Sequence, residues 1–125
     1  MKKLLLATAI MASLTGTAFA ADDEIKVGVL MGFTGPIESL TPNMASSAEL
    51  AFKEVSDSGA LLGGTKITVV RADSSCVDAA AATAAAERLV TSEKVVALVG
   101  ASCSGETTAV VNNVSAPNGV LSISP

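Results

Sequence analysis

Val95-Val96-Ala97-Leu98-Val99 runs directly into Gly100-Ala101-Ser102-Cys103-Ser104. The first five residues are wholly apolar and mostly β-branched. A short apolar run closed by a glycine turn reads as a strand covered on both faces, central in a parallel sheet. The same signal recurs on either side. Upstream, Ile25-Lys26-Val27-Gly28-Val29-Leu30-Met31 is one strand, and residues 66–72 form another around Ile67, Val69 and Val70. Downstream, residues 120–124 form a fourth.

Helical segments separate the strands. Met44, Ala48, Ala51, Phe52 and Val55 recur at spacings of three and four, which predicts one apolar helical face. Thr41 reads as the cap of that helix, Pro42 as its first-turn proline and Ser58-Gly59 as its end. An alanine-rich helix is predicted over 77–90. A shorter one is predicted over 105–114, broken by Ala116-Pro117-Asn118-Gly119.

Strand and helix thus alternate as βαβαβαβ. The fold class is α/β, a parallel sheet flanked by helices and joined by right-handed crossovers. In such sheets ligands bind beyond the carboxyl ends of the strands, where the strand order reverses. Three loops lie at that end: 32–40, 73–76 and 100–104.

The chain begins with Lys2 and Lys3, an apolar stretch over 4–14, and Thr17-Ala18-Phe19-Ala20. That is the pattern of a secretory signal peptide over 1–20, cleaved after Ala18-x-Ala20. The apolar stretch is shorter than the ~20 residues a membrane span needs. No cysteine follows the cleavage site, so no lipid anchor is expected there. The mature part, 21–125, is expected in the periplasm. Removing 1–20 takes two of the eight basic residues and none of the twelve acidic ones, leaving a net charge of −6. An acidic surface argues against nucleic acid. The chain ends on a strand-like run that would leave an open sheet edge. It therefore reads as the N-terminal piece of a longer protein.

Histidine, tryptophan and tyrosine are absent. Missing histidine removes the commonest general base and metal ligand, so neither a metal nor a cofactor is expected. Cys76 and Cys103 are an even pair in an exported chain, which favours a disulfide. The alternative is two buried, unreacted thiols. A bridge would close a loop of about 28 residues and contribute roughly 3–4 kcal/mol.

Two motifs nearly match catalytic patterns. Gly59-x-x-x-x-Gly64-Thr65-Lys66 approaches a phosphate loop, but the last two residues are reversed and a strand follows instead of a helix. A plain glycine turn is the better reading. Gly100-Ala101-Ser102-Cys103-Ser104 resembles half a nucleophile elbow, yet no histidine is present to activate Ser102. Residues 100–108 have another reading. The turn delivers free N–H groups at a helix N-terminus beside the hydroxyls of Ser102, Ser104, Thr107 and Thr108, an arrangement suited to a carboxylate. The competing reading is that Ser104 caps the helix and Glu106 complements its dipole.

A family resemblance rests on several landmarks taken together. They are Phe33-Thr34-Gly35-Pro36-Ile37 after the first strand, Ala48-Glu49-Leu50-Ala51 on the first helix, and Gly63-Gly64 before the second strand. Asp73 with Cys76, Val99-Gly100 leading into Cys103-Ser104, and Ile123-Ser124-Pro125 complete the set. In order and spacing the chain resembles the periplasmic binding proteins of ABC transporters, specifically the Leu/Ile/Val-binding group. The resemblance implies a two-lobed receptor about three times this length that closes on its ligand, with 21–125 as a partial N-terminal lobe of its solute-binding domain. It implies a Cys76–Cys103 disulfide, a Ser104 contact to the ligand's carboxylate and a Ser102 contact through its backbone. Leucine-binding relatives place an aromatic residue where this chain has Leu40, which leaves the ligand open.

The resulting expectation is a non-enzymatic periplasmic solute receptor, acting as a monomer. It would bind a branched-chain or other small amino acid, or a related amide or carboxylate, and deliver it to ABC permease subunits in the membrane. Ser104, Ser102, Leu40 and Thr107 are the expected ligand-binding residues. The alternatives are the ligand-binding sensor domain of a signalling receptor, or an exported hydrolase whose base lies downstream.

Overall fold

The computed structural model describes residues 24–125. The signal peptide read at 1–20 lies outside them. The elements run β1 (Glu24–Met31), α1 (Thr41–Ser58), a short 3-10 turn (Leu61–Gly63), β2 (Lys66–Asp73), α2 (Ala79–Thr91) and β3 (Ala97–Gly100). Then come α3 (Ser104–Val110), which continues as a π-helical turn (Val111–Ser115), and β4 (Leu121–Ile123). Among the described residues, no helix is long and apolar enough to cross a membrane.

The four strands form one parallel sheet in the order β2-β1-β3-β4. Val29 sits opposite Arg71 on one side and Val99 on the other. The chain winds outward from β1 to β2, then recrosses β1 to reach β3 and β4. The order therefore reverses between β1 and β3, which are neighbours, and their carboxyl ends diverge into separate loops.

Alternate residues of β1 serve opposite faces, as the pleat requires. Val29 and Met31 pack with Ala45 and Phe52 under α1, while Leu30 packs with Ala82, Ala86, Leu89 and Leu98 under α2 and α3. The alanines let α2 approach closely. A Cβ on Gly28 would lie 2.6 Å from Leu98 Cδ2 and 3.0 Å from Leu89 Cδ1, so a larger residue there would make those two leucines shift.

Several boundaries differ from the sequence reading, each for a local reason. Thr41 is the first residue of α1, not its cap. Its buried Oγ1 donates to the carbonyl of Gly32 at 2.7 Å, and Leu40 occupies the cap position without a side-chain bond. Pro42 does fall in the first turn, and Gly59 ends α1 in the left-handed region at φ 66°. The buried face of α1 runs through Thr41, Ala45 and Ser56, flanked by Ala48 and Phe52, whereas Ala51 and Val55 face outward. Ser56 rather than Val55 lies against the sheet, because its Oγ accepts from Ile67 N–H at 3.1 Å and so satisfies its burial.

Helix α2 starts two residues later than predicted. Asp78 caps it, its Oδ1 accepting from Ala80 N–H at 2.9 Å and Ala81 N–H at 3.0 Å. Strand β3 is shifted towards its glycine, spanning Ala97–Gly100 rather than 95–99. Val95 is buried before the ladder begins. Helix α3 starts at Ser104, and the second half of the predicted helix is the π-helical turn. The sequence resembling a phosphate loop contains the C-cap of α1 and the 3-10 turn, closed by Gly64 at φ 111°.

Candidate functional site

Strands β1 and β3 leave the sheet side by side, with Leu30 paired to Gly100. That register forces the residue identity at position 100. Gly100 adopts φ 121°, and a Cβ there would lie 1.7 Å from the Leu30 carbonyl oxygen. Only glycine lets the two strands separate at this point.

The chain after β1 is tied to the turn after β3 through Gly32. Gly32 N–H donates to Ser102 Oγ at 3.2 Å across 70 residues of sequence, while its carbonyl accepts from Thr41 Oγ1. Ser102, half-buried, accepts in this bond and keeps its own proton for donation. Ser104 is exposed at the first residue of α3, and its hydroxyl has no partner among the described residues. The residue before α3 is the extended Cys103, without a side-chain cap. The reading in which Ser104 caps the helix is therefore not realised: Ser104 lies inside the helix.

Thr107 faces back into the turn. Its Oγ1 reaches the carbonyls of Ala101 at 3.0 Å and Cys103 at 3.1 Å, and lies 3.2 Å from Ser124 Oγ. Ser124 Oγ donates to the Ala101 carbonyl at 2.9 Å, and Ser122 Oγ to the Gly100 carbonyl at 3.1 Å. Hydroxyls from α3, from β4 and from Ser124 just after it thus occupy carbonyls of the β3–α3 turn. That leaves the turn's N–H groups as the polar face it can offer a ligand. Leu40, the last residue before α1, is 60% exposed. Its N–H donates to the Ile37 carbonyl at 2.9 Å, closing the loop's final turn. Ser102 and Thr107 are both engaged at the β3–α3 turn, whereas the Leu40 and Ser104 side chains stand outside that bonded network.

The β2–α2 turn braces both of its neighbours. Cys76 and Cys103 are joined in a disulfide, with Cα atoms 5.4 Å apart. This agrees with the pairing expected for an exported chain. The disulfide locks the β2–α2 turn to the β3–α3 turn. On the other side, Asp73 Oδ1 accepts from the N–H groups of Phe33 and Ser75 at 2.9 Å and of Thr34 at 3.3 Å, and Oδ2 accepts from Thr34 Oγ1 at 2.6 Å. Partial burial alone would push the Asp73 carboxyl up. The hydroxyl of Thr34 and the N–H groups of Ser75, Thr34 and Phe33 together outweigh it and hold the carboxyl below the usual carboxylate range.

Glu106, which the capping reading sets against the dipole of α3, is 3% exposed beneath the β2–α2 turn. Neither carboxyl oxygen makes a hydrogen bond of normal geometry. Burial pushes its carboxyl above the ordinary value. The Ser74 hydroxyl and the N–H groups of Cys76 and Asp78 oppose that shift without cancelling it, and the nearby charge of Asp73 adds to it. The sequence singled out neither the clamp made by Asp73 nor the burial of Glu106. Asp73 stood out only as a turn residue and a landmark of the family resemblance, and an acid in the first turn of a helix ordinarily faces water.

A pocket of about 320 Å³ lies at the opposite end of the sheet, lined by Glu24, Ile25, Lys26, Ser92, Glu93, Lys94 and Val96. It belongs to the amino ends of the strands, away from the switch point. Among the described residues, no group of three or more His, Cys, Asp or Glu side chains is placed to hold a metal ion.

Residues 24–125 match the periplasmic binding protein family. The chain belongs to that family. A Leu/Ile/Val-binding protein homolog 7 of Brucella melitensis is 38% identical over 109 residues, covering 87% of this chain and 26% of the relative. The Leu/Ile/Val/Thr-binding protein of Salmonella typhimurium is 32% identical over 123 residues, covering 98% of this chain and 32% of the relative. Among solved structures, the branched-chain amino acid transporter substrate-binding protein LivJ of Streptococcus pneumoniae, in complex with isoleucine, superposes with a TM-score of 0.72. It is 34% identical, and the match covers 82% of this chain and 28% of that one. A solute-binding protein of an ABC transporter from R. palustris, in complex with benzoate, has a TM-score of 0.67 at 30% identity, covering 82% of this chain and 27% of that one. The chain thus spans roughly a quarter to a third of the length of these periplasmic binding proteins.

Proposed function

We propose that this chain is part of the first lobe of a periplasmic solute receptor that delivers a small carboxylate-bearing solute, such as an amino acid, to the membrane permease of an ABC transporter. The observation that carries this reading is the switch point between the carboxyl ends of β1 and β3, whose loops the Gly32–Ser102 bond ties together, in a periplasmic binding protein. Relatives that accommodate isoleucine and benzoate share a carboxylate in their ligands, whatever the remainder of the molecule.

In this reading Ser104 donates its free hydroxyl to the ligand's carboxylate. Ser102 adds its remaining proton and the N–H groups of its turn. Thr107 contributes through the turn it holds. The loop over 32–40 roofs the site, and Leu40 offers an apolar surface to the ligand's side chain. The role is binding rather than catalysis. The mature protein works as a monomer in the periplasm after loss of residues 1–20.

Thermal unfolding of the purified full-length protein against amino acids, amides and short carboxylates tests the proposal. A ligand at 100 times its dissociation constant adds about 2.7 kcal/mol of stability. A rise in melting temperature with one solute class supports the reading and names the ligand. No response from any amino acid or carboxylate overturns it.

A further inference from the structure

We infer that Asp73 is a positioning residue of the binding crevice: through Phe33 and Thr34 it sets the loop that roofs the site, without touching the ligand. The inference rests on the proposed function and deepens it.

The geometry is one-sided in a telling way. A carboxylate has about four lone-pair sites. Asp73 uses its oxygens on four donors, of which three come from Phe33 and Thr34, some 40 residues earlier in the chain. The fourth, Ser75 N–H, belongs to its own turn. The side chain therefore joins the β2–α2 turn to the loop after β1. Other contacts act at the same place. The Arg71 guanidinium lies 5.4 Å from the centre of the Phe33 ring and is itself held by Glu49, with Nη2 to Oε2 at 2.8 Å. A Cβ on Gly35 would lie 2.4 Å from the Ser75 carbonyl oxygen, so loop and turn touch backbone to backbone. Ser74 N–H and Phe33 N–H both donate to the Met31 carbonyl at 2.9 Å, so the latch begins where β1 ends.

The β2–α2 turn has a second grip. Cys76 is bonded to Cys103, the residue between Ser102 and Ser104. One turn thus holds both walls of the crevice, by a carboxylate on one side and a disulfide on the other. Asp73 has the hydrogen-bonded side. Hydrogen bonds to a charged group are worth more than neutral ones, yet they remain reversible, so this wall can yield when the site opens.

The test uses the full-length protein with isoleucine and benzoate as probes, and amide hydrogen exchange without any ligand. Asp73→Ala should speed exchange at Phe33 and Thr34 at least about tenfold and weaken probe binding by a similar factor, at one charged hydrogen bond per decade. Exchange in β1 and β3 should not change. Asp73→Asn keeps an acceptor in the same place and should recover part of both effects. Thr34→Val removes one bond from the other side, and in a double-mutant cycle its effect on binding should vanish when Asp73 is already Ala. Unchanged exchange at Phe33 and Thr34 in folded Asp73→Ala overturns the inference. So does faster exchange with undiminished affinity, which would make the contact structural only. If the wild type binds neither probe while Asp73→Ala frees the loop, the latch stands and the choice of ligand class in the proposed function falls.

Discussion

At the amino end of the sheet, Lys26, Glu93 and Arg88 hold one another by ion pairs, Lys26 Nζ to Glu93 Oε2 at 3.6 Å and Arg88 Nη1 to Glu93 Oε1 at 2.9 Å, beside a pocket of about 320 Å³. At the carboxyl end the loops are joined by a disulfide, a four-donor carboxylate and a serine that binds a glycine 70 residues away. The amino end has the hollow, and the carboxyl end has the constraint. Exposed ion pairs of this kind contribute little, because water competes for both charges. The carboxyl end fixes backbone groups in place, and fixed donors are what a ligand can use. The proposed site therefore rests on the constrained end and not on the hollow.

The contrast can be broken from either end. Gly100→Ala should do most damage: the added Cβ meets the Leu30 carbonyl at 1.7 Å, which no rotamer relieves. We expect a loss of at least about 4 kcal/mol, read from the urea midpoint or from failure to fold. Removing the disulfide with Cys76→Ser and Cys103→Ser together should cost roughly 3–4 kcal/mol in the same assay. Ser104→Ala should leave the melting temperature of the unliganded protein unchanged, since its hydroxyl is unpartnered, but weaken carboxylate binding by about 1–3 kcal/mol in calorimetry. Unchanged affinity would remove Ser104 from the site.

The two acids of the carboxyl end should titrate in opposite senses. Asp73 has its carboxyl lowered by folding, so its contribution is present above the ordinary carboxylate value and is lost as pH falls through the lowered one. Glu106 has its carboxyl raised, so folding favours its protonated form. It subtracts stability as pH rises from the ordinary carboxylate value through the raised one. Glu106→Gln should accordingly raise the melting temperature at neutral pH and flatten its fall across that window, while Asp73→Asn should flatten the acid limb instead. The smallest effect belongs to the amino end, where Glu93→Gln should change stability by less than about 1 kcal/mol and leave ligand binding untouched.

The central strands were legible because a strand covered on both faces is mostly apolar along its length, as 27–31 and 97–100 are. The cysteine pair was legible from compartment and parity. The crevice loops followed from parallel topology, which puts every crossover loop after a strand at one end. Boundaries were less legible where a side chain chose between a local and a distant partner. Thr41 could cap α1 locally, but its hydroxyl went to Gly32. Asp78 capped α2 instead of the chain simply entering a helix at 77. Ser56 was unremarkable in sequence because its burial depends on Ile67 N–H, which only the fold brings near.

By itself the sequence determined the alternating α/β layout, the glycine that ends α1 and the family to which the chain belongs. These rest on periodicity, backbone preference and local order, all properties of neighbours along the chain. Tertiary structure alone decided the strand order β2-β1-β3-β4, the role of Asp73 as a latch and the burial of Glu106. Each of those depends on which distant backbone groups need a partner once the sheet has formed, and no local pattern encodes that need.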